Sequence, residues 1–396
     1  MDIVFSDNTE PLKPSAIREI FKSLTDPEVI SFAAGNPSPE SFPVEAMKRF
    51  ADDIFERSPS LALQYGITEG YTPLRKAVKA RASARFGAAG KDDTVIITTG
   101  GQQGIDLTAK VLCNRGDTVI CEEPTFIGAL NAFRAHGCRT VGVPMDDDGI
   151  DTDALEYAIK NSVNPKLIYL IPTFQNPTGR TMSYEKRVKC LQLAKKYGLL
   201  ILEDDPYGEL RFSGTPVPPI KNMDGEGRVI YCSSFSKILS SGMRVGYVIC
   251  GENIAAKIAV CKQVNDVHTN MFFQLICHKF LTEYDLDAHI EKIRALYRKK
   301  ASLMLKCLDG SMPDCVKYTR PDGGLFIWAD LPENVNIKGF FKDLAEKRKL
   351  AVVPGATFMC DPDKETRGFR MNYSTPSDEQ IMRGVRILTD ALKELL

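Results

Sequence analysis

The sequence predicts an α/β protein, with a mostly parallel central sheet in a large domain and a smaller α+β domain after it. Three observations carry this expectation. Short apolar runs alternate with stretches of helical spacing to about residue 285. A single long helical stretch follows, and then short strands with a closing helix. Buried strands alternating with helices of roughly 10–15 residues build βαβ units, and these make parallel sheets.

In chain order the strand-length runs are Val95–Thr98, Val119–Glu122, Thr140–Pro144, Leu167–Ile171, Leu199–Glu203, Val229–Ser233 and Val245–Ile249. Helical spacing marks Ile105–Leu112, Ile127–Ala135 and Tyr184–Lys196 between them. Asp146–Asp151 and Pro216–Gly227 are rich in Asp, Gly and Pro and read as surface connections. The long helix is expected over Leu286–Leu308. Strands follow at Val316–Thr319, Leu325–Ala329, Leu350–Val353 and Phe369–Asn372, with a last helix from Asp378. The first forty residues hold five prolines and little sheet pattern, so they read as an arm or lid. The expected division is 1–44 for an arm packing with the small domain, 45–285 for the large ligand-binding domain and 286–396 for the small one. There is no repeat of 20–50 residues.

Composition excludes several classes. Lys and Arg number 51, as do Asp and Glu, for a formal net charge of zero. That balance argues against a nucleic-acid surface, which needs clustered cations, and against a polybasic membrane anchor. Hydrophobic residues at 43% and charged ones at 26% fit a globular chain rather than a disordered one. Apolar stretches such as Leu199–Leu202 are far too short to span a bilayer. Met1–Glu10 is acidic and polar, unlike a signal peptide. The eleven cysteines are odd in number and form no Cys-x-x-Cys pair, which favours a reducing cytoplasm over a disulfide scaffold. His136, His268, His278 and His289 make no pair with cysteine at ligand spacing, so no protein-held metal is expected.

Ligands of parallel α/β sheets sit beyond the carboxyl ends of the strands, and four such places carry unusual residues. Thr99-Gly100-Gly101-Gln102-Gln103-Gly104 opens a helix, where exposed N–H groups suit a phosphate; a plain turn is the alternative. Pro172–Gly179 contains Gln175-Asn176-Pro177-Thr178-Gly179, which is also ordinary turn chemistry. Asp204-Asp205-Pro206-Tyr207 offers two carboxylates that serve as helix caps, metal ligands or partners of a ligand cation. Ser234-Phe235-Ser236-Lys237 is followed seven residues later by Arg244. A lysine just past a buried strand, among serines and apolar residues, is open to desolvation that lowers its pKa and makes it a Schiff-base nucleophile.

Each place has a bland explanation, but together they match one ligand. A phosphate needs the glycine turn, the hydroxyls of Ser234 and Ser236, and Arg244. An aldehyde needs Lys237, a protonated ring nitrogen needs Asp204, and a phenolic oxygen suits Asn176 and Tyr207. Pyridoxal 5′-phosphate carries all of these groups.

With these motifs in order the chain resembles the fold-type I pyridoxal-phosphate aminotransferases of class I/II, and within them the 2-aminoadipate and kynurenine branch. The markers run through nearly the whole chain: Ser15–Glu19, Phe32–Pro37, Gln64–Gly66, Gly70-Tyr71 with Leu74-Arg75, Gly100–Gln103, Glu123–Phe126, Gln175–Gly179, Asp204–Tyr207, Ser234–Lys237 with Arg244, and Gly368–Ser374. The resemblance implies that Lys237 bonds the cofactor aldehyde and then moves the α-proton. It pairs Asp204 with the pyridine nitrogen and sets Asn176 and Tyr207 on the ring oxygen, with Tyr207 counted among the catalytic residues. Gly100, Gly101, Gln102, Ser234, Ser236 and Arg244 hold the phosphate, and Phe126 stacks on the ring. Tyr65 reaches the phosphate of a neighbouring subunit, so a homodimer with shared sites is expected. Arg370 grips the substrate α-carboxylate beside Gly35 and Asn176. Arg18, in the N-terminal lid, pairs with a distal substrate carboxylate or is simply a solvated arginine. Two positions depart from many relatives, which have Ser or Ala at Gly101 and Tyr or Trp at Phe126.

The implied activity is a two-stage amino transfer from an L-amino acid (aromatic, aliphatic or 2-aminoadipate-like) to a 2-oxo acid, with 2-oxoglutarate as the expected acceptor. A carbon–sulfur β-lyase shares every cofactor residue and is one rival; an effector-sensing regulatory module is another. Only small-molecule substrates and a second copy of the chain are expected as partners, with no nucleic acid and no membrane, in the cytoplasm.

Overall fold

The computed structural model describes residues 4, 6, 12, 28–333 and 337–396, so Arg18 lies outside the described residues. The strands in chain order are β1 (Ile30–Ser31), β2 (Asp93–Thr98), β3 (Thr118–Glu123), β4 (Arg139–Asp146), β5 (Gly149–Ile150), β6 (Pro165–Leu170) and β7 (Leu200–Asp204). They continue as β8 (Val229–Ser234), β9 (Gly246–Gly251), β10 (Lys317–Tyr318), β11 (Phe326–Asp330), β12 (Leu350–Ala351), β13 (Val353–Pro354) and β14 (Gly368–Asn372).

Eight of them form one sheet in the order β2-β9-β8-β7-β6-β3-β4-β5. The pairings from β8 through β4 are parallel, while β9 is antiparallel to both neighbours and β5 to β4. The carboxyl ends of β2, β3, β6, β7 and β8 therefore share one edge, and β9 begins there. The strands are buried on both faces because their side chains alternate between two helical layers. Ile168, Leu170, Ile201 and Val229 pack with the helices Thr152–Asn161 and Tyr184–Tyr197. Leu167, Tyr169, Leu202 and Cys232 join the core with Ile105 and Leu107 of the helix Gly101–Leu112 and Phe133 of Ile127–Ala135.

The long helix Leu286–Ser311 opens with Asp285 accepting from Ala288 N–H, and buries Leu286, Ile290, Ile293, Tyr297, Met304 and Leu308 along one face. That spacing is the apolar stripe of a helix laid on a core. It packs against the last helix, Asp378–Leu395, which Ser377 and Gln380 cap reciprocally. A second sheet, β10-β11-β14-β13, is antiparallel throughout.

Three expectations change in detail. Asp146–Asp151, read as a surface connection, holds β5, whose Gly149 and Ile150 are buried and pair with the end of β4. The run Leu350–Val353 is divided: Leu350–Ala351 pairs in parallel with Ile30–Ser31, and Val353–Pro354 joins β14. The segment read as an arm thus contributes β1, whose two residues are too few to show a period.

Candidate active site

The shared carboxyl edge opens into a cleft of about 320 Å³. Its lining includes Gly35, Gly101, Gln102, Phe126, Asn176, Asp204, Tyr207, Ser234, Ser236, Lys237, Arg244 and Arg370. Residues from across some 335 positions of sequence meet there because five strand ends, the start of β9 and β14 converge.

Beyond β8, the Ser234 hydroxyl accepts from Ser236 N–H at 3.3 Å and caps the short turn Phe235–Lys237. Lys237 Nζ donates to Gly35 O at 2.6 Å and lies 5.9 Å from the centre of the Tyr207 ring. Burial, reinforced by the positive charges of Arg370 and Arg244, lowers its pKa to about 8. Arg244 has φ +53, a left-handed conformation that a branched-off side chain adopts rarely. Its guanidinium donates to Ser241 O at 3.2 Å and reaches Ser236 Oγ and Thr99 O at 3.5 Å. Gly100 has φ +75, and a Cβ there would lie 2.2 Å from Arg244 Nη2. The glycine is thus what lets the cation lie against the turn that starts the helix Gly101–Leu112.

Asp204 ends β7 fully buried, and its Oδ2 accepts from Tyr169 O–H at 2.7 Å. Burial raises its pKa to about 7, against the lowering effects of the Tyr169 hydrogen bond and the Lys237 charge. Asp205 turns to a different partner, accepting from Tyr231 O–H at 2.8 Å. The loop after β6 is folded on Gln175, whose Oε1 accepts from Thr178 N–H and Oγ1–H while its Nε2 donates to Pro124 O. This holds Asn176 between Tyr207, at 3.5 Å, and Arg370, whose Nη1 donates to Asn176 Oδ1 at 2.8 Å. Arg370 Nη2 donates to Ala33 O at 2.8 Å, and Nε is buried without a hydrogen-bond partner. Burial lowers its pKa to about 10, so it stays charged at neutral pH. Gln102 Nε2 donates to Gly128 O at 2.8 Å across the cleft wall beside Phe126.

Tyr65 is not in the cleft. It is 81% exposed, with its ring edge-on to His268 at 5.7 Å. Sequence reasoning also passed over Tyr169, hidden as one more apolar-looking residue in a strand. Two-residue alternation was the available signal, since it puts Tyr169 on the same sheet face as Leu202 and hence Asp204. Phe326 and Phe358 were missed as well; their rings lie 4.3 and 5.1 Å from the Arg370 guanidinium carbon and hold its plane.

Residues 27–388 match the family model described as aminotransferase class I and II. The chain belongs to that family. This aminotransferase is 41% identical over 394 residues to an aromatic-amino-acid aminotransferase of Thermococcus litoralis, covering 98% of this chain and 94% of the relative. It is 40% identical over 395 residues to a 2-aminoadipate transaminase of Thermus thermophilus, with 99% and 97% covered. Among solved structures, a Pyrococcus horikoshii kynurenine aminotransferase in complex with PMP superposes with a TM-score of 0.95 at 38% identity, covering 99% and 97% of the two chains.

The aminotransferase transfers amino groups and depends on pyridoxal phosphate. Its cleft fits that cofactor on structural grounds. A cation and a helix N-terminus flank a glycine whose position disfavours a side chain, and a buried carboxyl ends the central strand beside Lys237.

Proposed function

We propose that the aminotransferase takes its amino group from 2-aminoadipate-like, aromatic or aliphatic L-amino acids and passes it to 2-oxoglutarate. Its relatives of about 40% identity bear aromatic-amino-acid and 2-aminoadipate names, which supports this range. The observation that carries the site reading is Lys237: half-buried, with a pKa lowered to about 8, in one cleft with Asp204 and Arg370.

When bound, the cofactor supplies an aldehyde for amine exchange and an electron-withdrawing ring. Lys237 Nζ would hold that aldehyde, with loss of water, and as a free amine it would carry the α-proton between two carbon atoms. A pKa near 8 leaves a usable fraction of neutral amine at neutral pH. Asp204, one oxygen of which accepts from Tyr169, would hold the ring nitrogen proton. Asn176 and Tyr207 bind the ring oxygen, and Phe126 covers the ring face. Gly100, Gly101 and Gln102 present the helix start to the phosphate, with Ser234, Ser236 and Arg244 closing around it. Arg370 grips the α-carboxylate beside Gly35, three of its five N–H groups being free for this.

A homodimer completes the site in this reading, with Tyr65 reaching a partner's phosphate; its exposure on the surface supports that role. The division into arm, large and small domains at 44 and 285 belongs to the same proposal, as does Arg18 as the distal carboxylate partner. No helix of the described residues is long and apolar enough to cross a membrane, and the unpaired cysteines support a cytoplasmic location.

The test is a half-reaction screen. Purified holoenzyme is mixed with single amino acids while the cofactor absorbance is followed. Acidic and aromatic amino acids should convert it to the amine form stoichiometrically, and 2-oxoglutarate should restore it. Release of ammonia and pyruvate from cystathionine without any oxo acid would instead identify a β-lyase.

A further inference from the structure

Behind the glycine turn lies a polar cluster that none of the roles above uses. Lys262, in the last turn of the helix Glu252–Asn265, has no exposed surface. Its Nζ meets Gln103 Oε1 at 2.7 Å, the Asp266 carboxylate at 2.8 and 2.9 Å, and Thr269 Oγ1 at 3.0 Å. An ammonium has three donors, and these three groups use them all.

The cluster converges on Thr99. Its hydroxyl donates to Asp266 Oδ2 at 2.6 Å, and its N–H donates to Gln103 Oε1 at 2.8 Å, the same oxygen that Lys262 holds. Gln103 Nε2 in turn donates to Asp266 Oδ2 at 2.7 Å and to Asn265 Oδ1 at 2.8 Å. Both polar handles of Thr99 are therefore fixed by groups that one buried cation organises. The next residue is Gly100 at φ +75, and the Thr99 carbonyl faces Arg244. A buried cation with every donor satisfied defines geometry well, because a change of arrangement would leave one of its donors unpaired.

We propose that Lys262 is a positioning residue, which through Gln103, Asp266 and Thr99 fixes the Gly100–Gln102 turn in the shape that binds the cofactor phosphate. The proposal rests on the reading of that turn as the phosphate site. The same cluster extends to the protein surface. His268 follows two residues after Asp266, its Nδ1 lies 2.9 Å from Thr269 O, and its ring carries Tyr65. One rigid unit thus spans the phosphate turn and the exposed Tyr65 edge.

The experiment compares pyridoxal phosphate with pyridoxal, which lacks the phosphate, as ligands of cofactor-free protein. Wild type should bind the phosphorylated form far more tightly. Thr99→Val and Lys262→Met should weaken pyridoxal phosphate about tenfold, the scale of one lost charge-assisted hydrogen bond, and leave pyridoxal binding unchanged. Thr99→Ser keeps the hydroxyl and should bind like wild type. Should Lys262→Met fail to fold, the Thr99 pair decides. If Thr99→Val discriminates between the two ligands as well as wild type does, the proposal is overturned while the phosphate reading stands. If wild type itself binds both ligands equally, the phosphate reading fails and the proposal with it. Equal weakening of both ligands in Thr99→Val would mark a general structural role and also overturn it.

Discussion

Lys237 and Asp204 are displaced from their ordinary pKa values in opposite senses of charge, and both displacements begin with burial. Replacing Lys237 by Ala should abolish transamination, with kcat falling by at least roughly 10²-fold, in steady-state assays at saturating substrate. Its pKa near 8 lies below the unfolded value of about 10.4, so the unfolded chain binds the extra proton between those limits. The Lys237 contribution to the stability of cofactor-free protein therefore rises with pH from about 8 to about 10.4. Melting curves of wild type minus those of Lys237→Met should show that rise. Asp204 behaves in the opposite way: with a native pKa near 7 against about 3.9 unfolded, its contribution falls as pH climbs between them. Tyr169→Phe removes a hydrogen bond that stabilises the carboxylate, so the pKa of Asp204 should move further up. Carbon NMR of labelled Asp204 across pH 5–9 reads this directly, and an unchanged or lower value would contradict the assignment. Lys237, Asp204 and Arg370 were legible in the sequence because a strand end or a conspicuous motif flags each. Tyr169 and Lys262 were not: Asp204 lies 35 residues from Tyr169, and Lys262 reads as one end of an ordinary i,i+4 pair with Asp266, its link to Gln103 lying 159 residues away.

At the scale of elements, the glycine turn depends on how closely β9 approaches it. A Cβ on Gly246, the first residue of β9, would lie 2.6 Å from Gly100 C, 2.8 Å from Gly101 N and 2.9 Å from Ser233 O. All three are backbone atoms, which cannot swing aside as a side chain does. Gly246→Ala should therefore push the turn outward, lowering both the melting temperature and the affinity for pyridoxal phosphate. Gly100→Ala adds a left-handed conformation disfavoured by about 1–2 kcal/mol and a collision with Arg244, so its affinity for the cofactor should fall at least tenfold. Equilibrium titration of the cofactor-free variants measures both. The strands themselves were readable because buried parallel strands are nearly continuous apolar runs, and the seven predicted runs of the large sheet differ from the observed strands only at their ends. Their order in the sheet was not readable. Nothing local in Val245–Ile249 says that it inserts between β2 and β8 against the direction of both.

For the whole molecule, buried carboxyls set the pH response. Burial raises Glu122 to about 8 and Glu203 to about 7, alongside Asp204. Glu122 keeps one oxygen on Ile171 N–H and leaves the other without a partner. At these three sites the native protein holds protons that the unfolded chain has released between about pH 4 and 8, so their contribution to stability falls across that range. The melting temperature of cofactor-free protein should decline from pH 6 to pH 8.5, and Glu122→Gln should shrink the decline. An equal or steeper slope in that variant would exclude Glu122 as a contributor. Neutral net charge, visible from composition, gave no hint of this, because it counts charges without their surroundings.

The placement of β9 also has a consequence for biosynthesis. β2 closes the sheet only by pairing Asp93–Thr98 with Gly246–Gly251, some 150 residues further along the chain. Pairings of such separation slow folding, because loop-closure entropy is lost before their contacts are gained. The segment between Ser234 and Gly246 carries both Lys237 and Arg244, so these two cations reach the glycine turn only when that pairing is made. In the proposed reading, capture of the cofactor would then report that β9 has paired, and a nascent chain still lacking β9 would have no means of holding it.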